Sequence, residues 1–467
     1  MLIDFTIVII YLTAIVCTGL VASRKKIQNI KEFSLSRKKY GIFVLVSTLS
    51  AAFIGGGFST GNAAKVAQIG IGNIFALYGF SVAVILIGKY VVPNIKSFKD
   101  VSSTGEIMGK CYGKNAQIFT GIFAFIVCAG ILGAQISAIS YIFNVFLGLE
   151  PLYGLLIGIF CVIISTSFGG MQSVVATEVI QFIILMIAMP LLLIFSVIKT
   201  GGISNIIAQI PQGHFNIFNK VGPLGLFSLF VSFAAGESMV PPYVQRLLMG
   251  KDLKTTSRAT VISGILSFPF FMITGLIGLV GIVYFKNQNI DTNSVLQAMI
   301  NSVAPIGIRG FLIAGTLSIV MSSASSFLNS ASVELVNNVW IPIFDQKEVF
   351  HKSVLLVRLV NVLTGIIAAM FALLVPNVLD ILVYSYSFWS PIILVPLLAA
   401  LMGKKTIPIA FYISMISGIF AMLLGNFFLS PFNIDGSVIG IATNMITFCL
   451  ATKFFSNGIA KEQSIIG

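Results

Sequence analysis

The sequence predicts an all-α membrane protein of about thirteen transmembrane helices, arranged as a 5+5 inverted repeat with two broken helices. Three observations predict it. Apolar stretches of about 20 residues recur from end to end, each long enough to cross a bilayer as a helix. Hydrophobic residues make up 57% of the chain and charged residues only 9%, where soluble domains carry about 25% charged residues. Two of the apolar spans, five apart in order, are interrupted by helix-breaking residues. The stretches are too long and too unpatterned for membrane strands, which alternate over about 10 residues. A soluble protein with a mean hydropathy of +1.02 would expose large adhesive patches.

The spans run near 3–22, 41–64, 71–92, 116–147, 151–170, 174–198, 223–245, 259–285, 308–335, 354–375, 378–402, 406–429 and 437–455. No basic segment precedes the first, and Arg24-Lys25-Lys26 follow it. That is the wrong polarity for a signal peptide, so it reads as a first span with its N-terminus outside. Alternation then places Arg24 to Lys39, Lys96 to Lys114, Arg246 to Arg258, Lys347 to Arg358 and Lys404-Lys405 inside. Only Lys65, Lys199, Lys220, Lys286 and Arg309, five of 28 basic residues, fall outside. An odd span count keeps this agreement with the positive-inside rule. The net charge of +13 is thereby explained by membrane topology, and no nucleic-acid partner is expected. The expected location is the cell's inner (plasma) membrane, multi-pass, with the C-terminus cytoplasmic. Residues 1–467 read as one transmembrane domain. Its first repeat is 41–198 and its second 223–402, with 1–40 and 403–467 peripheral.

The second span contains Ile54-Gly55-Gly56-Gly57 and then Gly61, and the seventh contains Ala235-Gly236-Glu237 and then Pro241-Pro242. Consecutive glycines are poor helix formers and prolines remove backbone donors. Irregular backbone at membrane depth is tolerated where it is buried in protein or lines a cavity. The offset of five spans gives the two halves opposite orientation.

Four carboxylates fall in or near spans: Glu178, Glu237, Glu334 and Asp380. Each would cost about 2.5–3.5 kcal/mol at a helix centre. Glu334 and Asp380 lie towards span ends, where water is within reach. Glu178, beside Thr177 and Gln181, and Glu237, at the second break, are the functional candidates. The ninth span carries Ser322, Ser325, Ser326 and Asn329 at i, i+3, i+4 and i+7, one stripe along a helix face. Hydroxyls facing broken backbone offer neutral oxygen ligands that suit a hard cation of low charge. The five cysteines and two histidines are scattered, with no metal-ligand spacing and no disulfide framework.

At these motifs the chain resembles the sodium:solute symporter family, which shares the leucine-transporter-type inverted-repeat fold. They are Ala51-Ala52-Phe53-Ile54-Gly55-Gly56-Gly57, the run from Gly169 to Gln181, Gln245-Arg246, and the serine-rich ninth span. In motif it looks nearest to the choline-transporter-like branch. The resemblance implies sodium-coupled symport by alternating access, with sodium as the coupling ion and no other cofactor. It implies a sodium site between spans two and nine, formed by the carbonyls of Ala51, Ile54 and Ile319 and the hydroxyls of Ser322 and Ser323. It further implies a second sodium site from Glu178, Ser322, Ser325 and Ser326; the family acid is usually aspartate, one methylene shorter. The substrate cavity would involve Phe53, Gly56, Gly57, Phe58, Glu237 and Pro241. Phe58 replaces the polar contact of sugar carriers, and a carboxylate at Glu237 favours a small amine-bearing zwitterion such as an amino acid. An organic cation, a vitamin or a carboxylate remains open as substrate, as do a channel and a transporter-like sensor. A sensor would usually add a soluble domain after the last span, and about a dozen residues follow residue 455. No metalloprotease, serine-elbow or paired-acid motif points to an enzyme.

The topology has a direct check. A cysteine placed at Lys220 reacts with an impermeant maleimide from outside, and cysteines at Lys254 and Lys404 react only from inside. The reverse pattern contradicts the odd span count.

Overall fold

In the computed structural model the described residues are 2–23, 27, 30–36, 39–98, 100–288, 290–344, 350–374, 385, 388–404, 407–429 and 434–465. Asp380, Lys405, the Arg24-Lys25-Lys26 cluster and much of the first part of the span predicted at 378–402 lie outside them. Among the described residues the elements are helices, with one isolated bridge pairing Tyr40 and Gly250. Nine helices among the described residues are long and apolar enough to cross a membrane, or up to eleven if each of two bent pairs is one span. Two shorter apolar helices, Pro151–Ser167 and Ser390–Leu401, stand where the sequence places its fifth and eleventh spans.

In chain order, α1 is Leu2–Ala22 and α2 is Ile30–Leu35. The first bent pair is α3, Ile42–Phe53, followed after Gly55-Gly56 by a π-helical turn at Gly57–Gly61 that runs into α4, Asn62–Ile69. The halves bend by 68°. Then come α5 Gly72–Leu86, α6 Thr104–Tyr112, α7 Lys114–Leu147, α8 Pro151–Ser167, α9 Gly170–Lys199 and α10 Ile203–Gln209. The second bent pair is α11, Gly222–Gly236, with α12, Pro241–Leu247, at 57°. There follow α13 Leu253–Tyr284, α14 Val295–Val303, α15 Ile308–Leu335, α16 Ile341–Phe344 and α17 Phe350–Leu374. The last are α18 Val395–Leu401, α19 Pro408–Leu429 and α20 Gly436–Ile465.

Both bends fall at the sequence's own breaks. Local chemistry also sets other ends. Asp252 accepts from Thr255 N at 2.7 Å and starts α13, and left-handed Gly148 ends α7. Such caps satisfy the free amides and carbonyls at helix ends.

Helix α15 is the axis of the molecule. In its most apolar window 94% of residues are buried, against 22% for the peripheral α1. It packs on α7, α8, α9, α1 and α17, while α13 packs on α3, α4, α5 and α9. Close backbone approaches join α5 to α11 and α13 to α4. A Cβ on Gly79 would lie 2.1 Å from Phe230 O, and one on Gly278 would lie 2.2 Å from Ala63 O. Small residues at such crossings are how membrane helices gain contact without a hydrophobic driving force. Helix α1 is pinned to the start of α15 by Asp4, which accepts from Gly307 N (2.8 Å), Gly310 N (2.9 Å) and Arg309 Nη2 (2.7 Å).

The expectation that Glu334 reaches water is corrected here. Its side chain is fully buried. The carboxylate accepts from Thr104 N at 2.8 Å, Gly105 N at 3.2 Å and Asn338 Nδ2 at 2.6 Å. It closes the free amide end of α6, which docks over the end of α15. A connecting helix supplies the donors that solvent was expected to supply.

Candidate functional site

The first break releases two carbonyls from the helical ladder. Ile54 N still donates to Ser50 O at 3.0 Å, but Gly55 N turns back to Phe53 O at 2.8 Å. Gly56 N leaves the helix altogether and donates to Gln135 Oε1 of α7 at 3.1 Å. The carbonyls of Ala51 and Ala52 therefore lose their i+4 donors. Two consecutive residues of α15 replace them: Ser322 Oγ lies 2.9 Å from Ala51 O, and Ser323 Oγ lies 3.0 Å from Ala52 O. Ser322 Oγ is also 3.0 Å from Ile319 O. Ala51, Ile319 and Ser322 are thus in one cluster, Ser323 sits one carbonyl along at Ala52, and Ile54 is where the backbone departs from α3. The donor set is all oxygen and all neutral, which fits a hard monovalent cation.

The residues of the second expected ion site have a different arrangement. Glu178 and Ser326 do meet, but with the guanidinium of Arg246 against both. Arg246 Nη2 is 2.5 Å from Glu178 Oε1 and 2.6 Å from Ser326 Oγ. Ser326 Oγ and Thr48 Oγ1 donate to the two carboxylate oxygens. Arg246 also donates from Nε to Thr48 O at 3.1 Å and from Nη1 to Pro242 O at 2.7 Å. Both charged side chains are fully buried. Ser322 faces Ala51 instead, and Ser325 is not among the carboxylate's hydrogen-bond partners. A protein cation, Arg246, thus contacts two of the four residues that the resemblance assigns to that site. Arg246 is present in a quoted motif, yet only the fold brings the end of the second broken helix to α9.

Above the first break, Phe53, Gly55, Gly57, Phe58, Gln135, Glu237, Ser323 and Phe327 surround a cavity of about 10 Å³, room for about one water molecule. Four of the six expected cavity residues line it. Gly56 does not, since its open side faces Gln135, Ala138 and Val320. Pro241 does not either; it is buried as the first residue of α12. The sequence reading missed Gly55, Gln135, Ser323 and Phe327 as cavity residues. Gln135 has a visible signal, as the one amide between Ile118 and Phe143 of an apolar span. Phe58 meets Phe80 and Phe271 at ring-centroid distances of 5.1 Å each, and Phe53 meets Phe80 at 4.7 Å. These rings close the space.

Hydrogen bonds tie the chain together on both sides of this region. On the α3 side, Tyr40 N donates to Met249 O and Lys251 N to Tyr40 O, each at 3.1 Å, joining the start of α3 to the segment after α12. On the α4 side, Ile71 N donates to His214 O at 2.9 Å, and Lys220 Nζ to Gln68 O at 2.6 Å.

Residues 33–431 match the family described as the sodium:solute symporter family. The chain belongs to that family. The symporter is 26% identical over 368 residues to the high-affinity proline transporter PutP of Bacillus subtilis, covering 74% of this chain and 76% of the relative. It is 25% identical over 415 residues to high-affinity choline transporter 1 of Drosophila melanogaster, covering 82% and 63%. In fold it is similar to a sodium-coupled sialic acid symporter solved in a substrate-bound outward-open state. There the TM-score is 0.83 at 19% identity, over 96% of this chain and 97% of that one. The protein is therefore a multi-pass, sodium-coupled symporter of a small organic solute with the leucine-transporter-type fold, and not an enzyme.

The Glu178–Arg246 pair makes a stability prediction. Glu178→Gln leaves a buried guanidinium uncompensated and costs about 3–5 kcal/mol, as does Arg246→Met from the other side. The double variant is expected to melt well above either single variant in detergent. Additive losses would contradict a direct pair.

Proposed function

We propose that the symporter carries a compact amine-bearing zwitterion, such as an amino acid, together with one sodium ion held between α3 and α15. The observation that carries this reading is the transfer of the Ala51 and Ala52 carbonyls to Ser322 and Ser323. Turning the two hydroxyl protons aside would free the oxygens of Ser322 and Ser323, and the carbonyls they now contact, for a cation. Sodium would take the oxygens of Ala51, Ile54 and Ile319 together with Ser322 and Ser323, and Ala52 O joins the candidates. Binding there ties α3 to α15 and stabilises one arrangement of the repeats, 41–198 and 223–402.

The second ion site is not part of the proposal. Arg246 already supplies a positive charge to Glu178 and Ser326, and a sodium ion beside it meets like-charge repulsion. One ion per cycle follows, with a Hill coefficient near 1 for sodium.

Solute recognition rests on the residues around the small cavity. Glu237 offers a carboxylate to an ammonium group, and the amide of Gln135 offers a donor and an acceptor. Phe53, Phe58 and Phe327 surround the apolar body. Ser323 lines this cavity and also contacts Ala52 O, so ion and solute share a wall. A cavity of about 10 Å³ has no room for such a solute, so the halves must part to admit it and close to pass it on. The three phenylalanine rings favour a second reading, an organic cation held by cation–π contact. The orientation that goes with either reading has the N-terminus outside and the C-terminus cytoplasmic, in the plasma membrane.

Uptake into proteoliposomes tests the assignment with a panel that includes L-proline, other small amino acids and choline. The correct solute accumulates uphill on an inward sodium gradient and not when potassium replaces sodium. Accumulation driven by a proton gradient alone, or flux that never exceeds equilibrium, contradicts sodium-coupled symport. Ser322→Ala and Ser323→Ala are each expected to raise the sodium concentration for half-maximal uptake, with membrane abundance little changed. Unaltered sodium dependence in both would assign the serines to packing alone.

Glu237→Gln separates the substrate readings. It keeps shape and an acceptor oxygen but removes the charge. Affinity for an amine-bearing solute should fall about tenfold or more, while sodium binding without solute stays intact. Normal solute affinity in this variant removes the amine pairing.

A further inference from the structure

A groove of about 560 Å³ lies between α18 and α20, far in sequence from the ion and solute residues. Its walls are apolar and include Leu398, Met402 and Phe448. Both charged residues that line it, Lys404 and Lys453, are lysines, and both are exposed. Lys404 is fixed in place by the end of α18. Gly403 takes a left-handed φ of 67°, Gly403 N donates to Ala400 O, and Lys404 N reaches back to Ala399 O at 3.0 Å. This is the bonding of a Schellman cap, and it sets the lysine at the groove's rim.

The third feature is Thr452. Its hydroxyl is buried, lines the same groove and has no hydrogen-bond partner. Threonines in helices usually bond their own backbone one turn back, as Thr447 does with Thr443 O at 2.7 Å. Thr452 does not, and a buried hydroxyl left unpaired is unfavourable.

We infer that this groove binds an anionic glycerophospholipid. The two lysines match its phosphate, Thr452 Oγ1 donates to an ester carbonyl below it, and an acyl chain follows the apolar walls. The succession of charge, hydroxyl and hydrocarbon is that of a phospholipid from headgroup inwards. In the expected orientation Lys404 lies at the inner leaflet, where anionic lipid attracts basic side chains. A second copy of the chain is disfavoured as occupant, because the same lysines would face each other across the interface. The neighbouring surface of α20 is lipid-like in character, with Leu450 63% and Phe454 75% exposed. Bound lipid would brace α18, which is otherwise fixed to α6 by Tyr112 Oη donating to Pro396 O at 2.8 Å.

Native mass spectrometry of the detergent-purified symporter, titrated with phosphatidylglycerol and phosphatidylcholine of equal chain length, tests the inference. The wild type should retain phosphatidylglycerol with a preference on the order of tenfold, from two lysines near an anionic headgroup. The Lys404→Gln/Lys453→Gln variant should lose that preference. Thr452→Val should weaken retention of phosphatidylglycerol, and Cys449→Trp, which fills the groove, should weaken retention of both lipids. Lys199→Gln at the opposite end should change nothing. Equal retention of the two lipids by the wild type, an unchanged preference in the double lysine variant, or a dimer closed through Cys449 would each overturn it.

Discussion

Backbone carbonyls at membrane depth cannot be left to water, and the site depends on how two of them are satisfied. Where α3 stops at Phe53, the carbonyls of Ala51 and Ala52 lose their helical donors. An unpaired carbonyl in the bilayer core costs several kcal/mol. The partners are Ser322 and Ser323 of α15, the most enclosed helix of the bundle. A contact that repairs a broken helix therefore also assembles a set of cation ligands. The break and the serine pair need each other, since neither is useful to a cation alone.

The same economy appears at Arg246. Its guanidinium joins Thr48 of α3, Glu178 of α9, Pro242 of α12 and Ser326 of α15. Both halves that break, α3 and α12, are thus bound to helices that do not. Removing a buried charge from water is expensive, and the hydrogen bonds around it must all be present together. With Tyr40 paired to the segment after α12, the cluster ties the start of α3 to the second broken helix.

The two packing groups around α15 and around α13 meet through α3 and α9. Backbone approaches such as Gly278 to Ala63 bring α4 and α13 so close that no side chain fits between them. Glu334 likewise fastens α6 to the end of α15. Between these contacts lie the 54–56 and 237–240 breaks, where the backbone leaves regular helix.

Much of the fold was legible in the sequence because the bilayer imposes it. Span length, basic loops and the two Gly and Pro breaks are one-dimensional quantities, and the bends of 68° and 57° fall at those breaks. The serine stripe was legible for the same reason, as a 3.6-residue period. Which partner each polar group meets was not. Nothing local to Glu178 announces that the fold brings Arg246, 68 residues away, against its carboxylate. Glu334 reads as solvated until α6, 230 residues earlier, covers it. Gln135 reads as one amide in an apolar span until Gly56 N arrives in search of an acceptor. The sequence by itself determined that the chain is a bundle of apolar, membrane-length helices and where two of them bend, since these follow from local backbone chemistry in a low-dielectric solvent. Only the tertiary structure decided which charges are neutralised by protein and which oxygens stand ready for an ion, because those pairings join residues that no local rule connects.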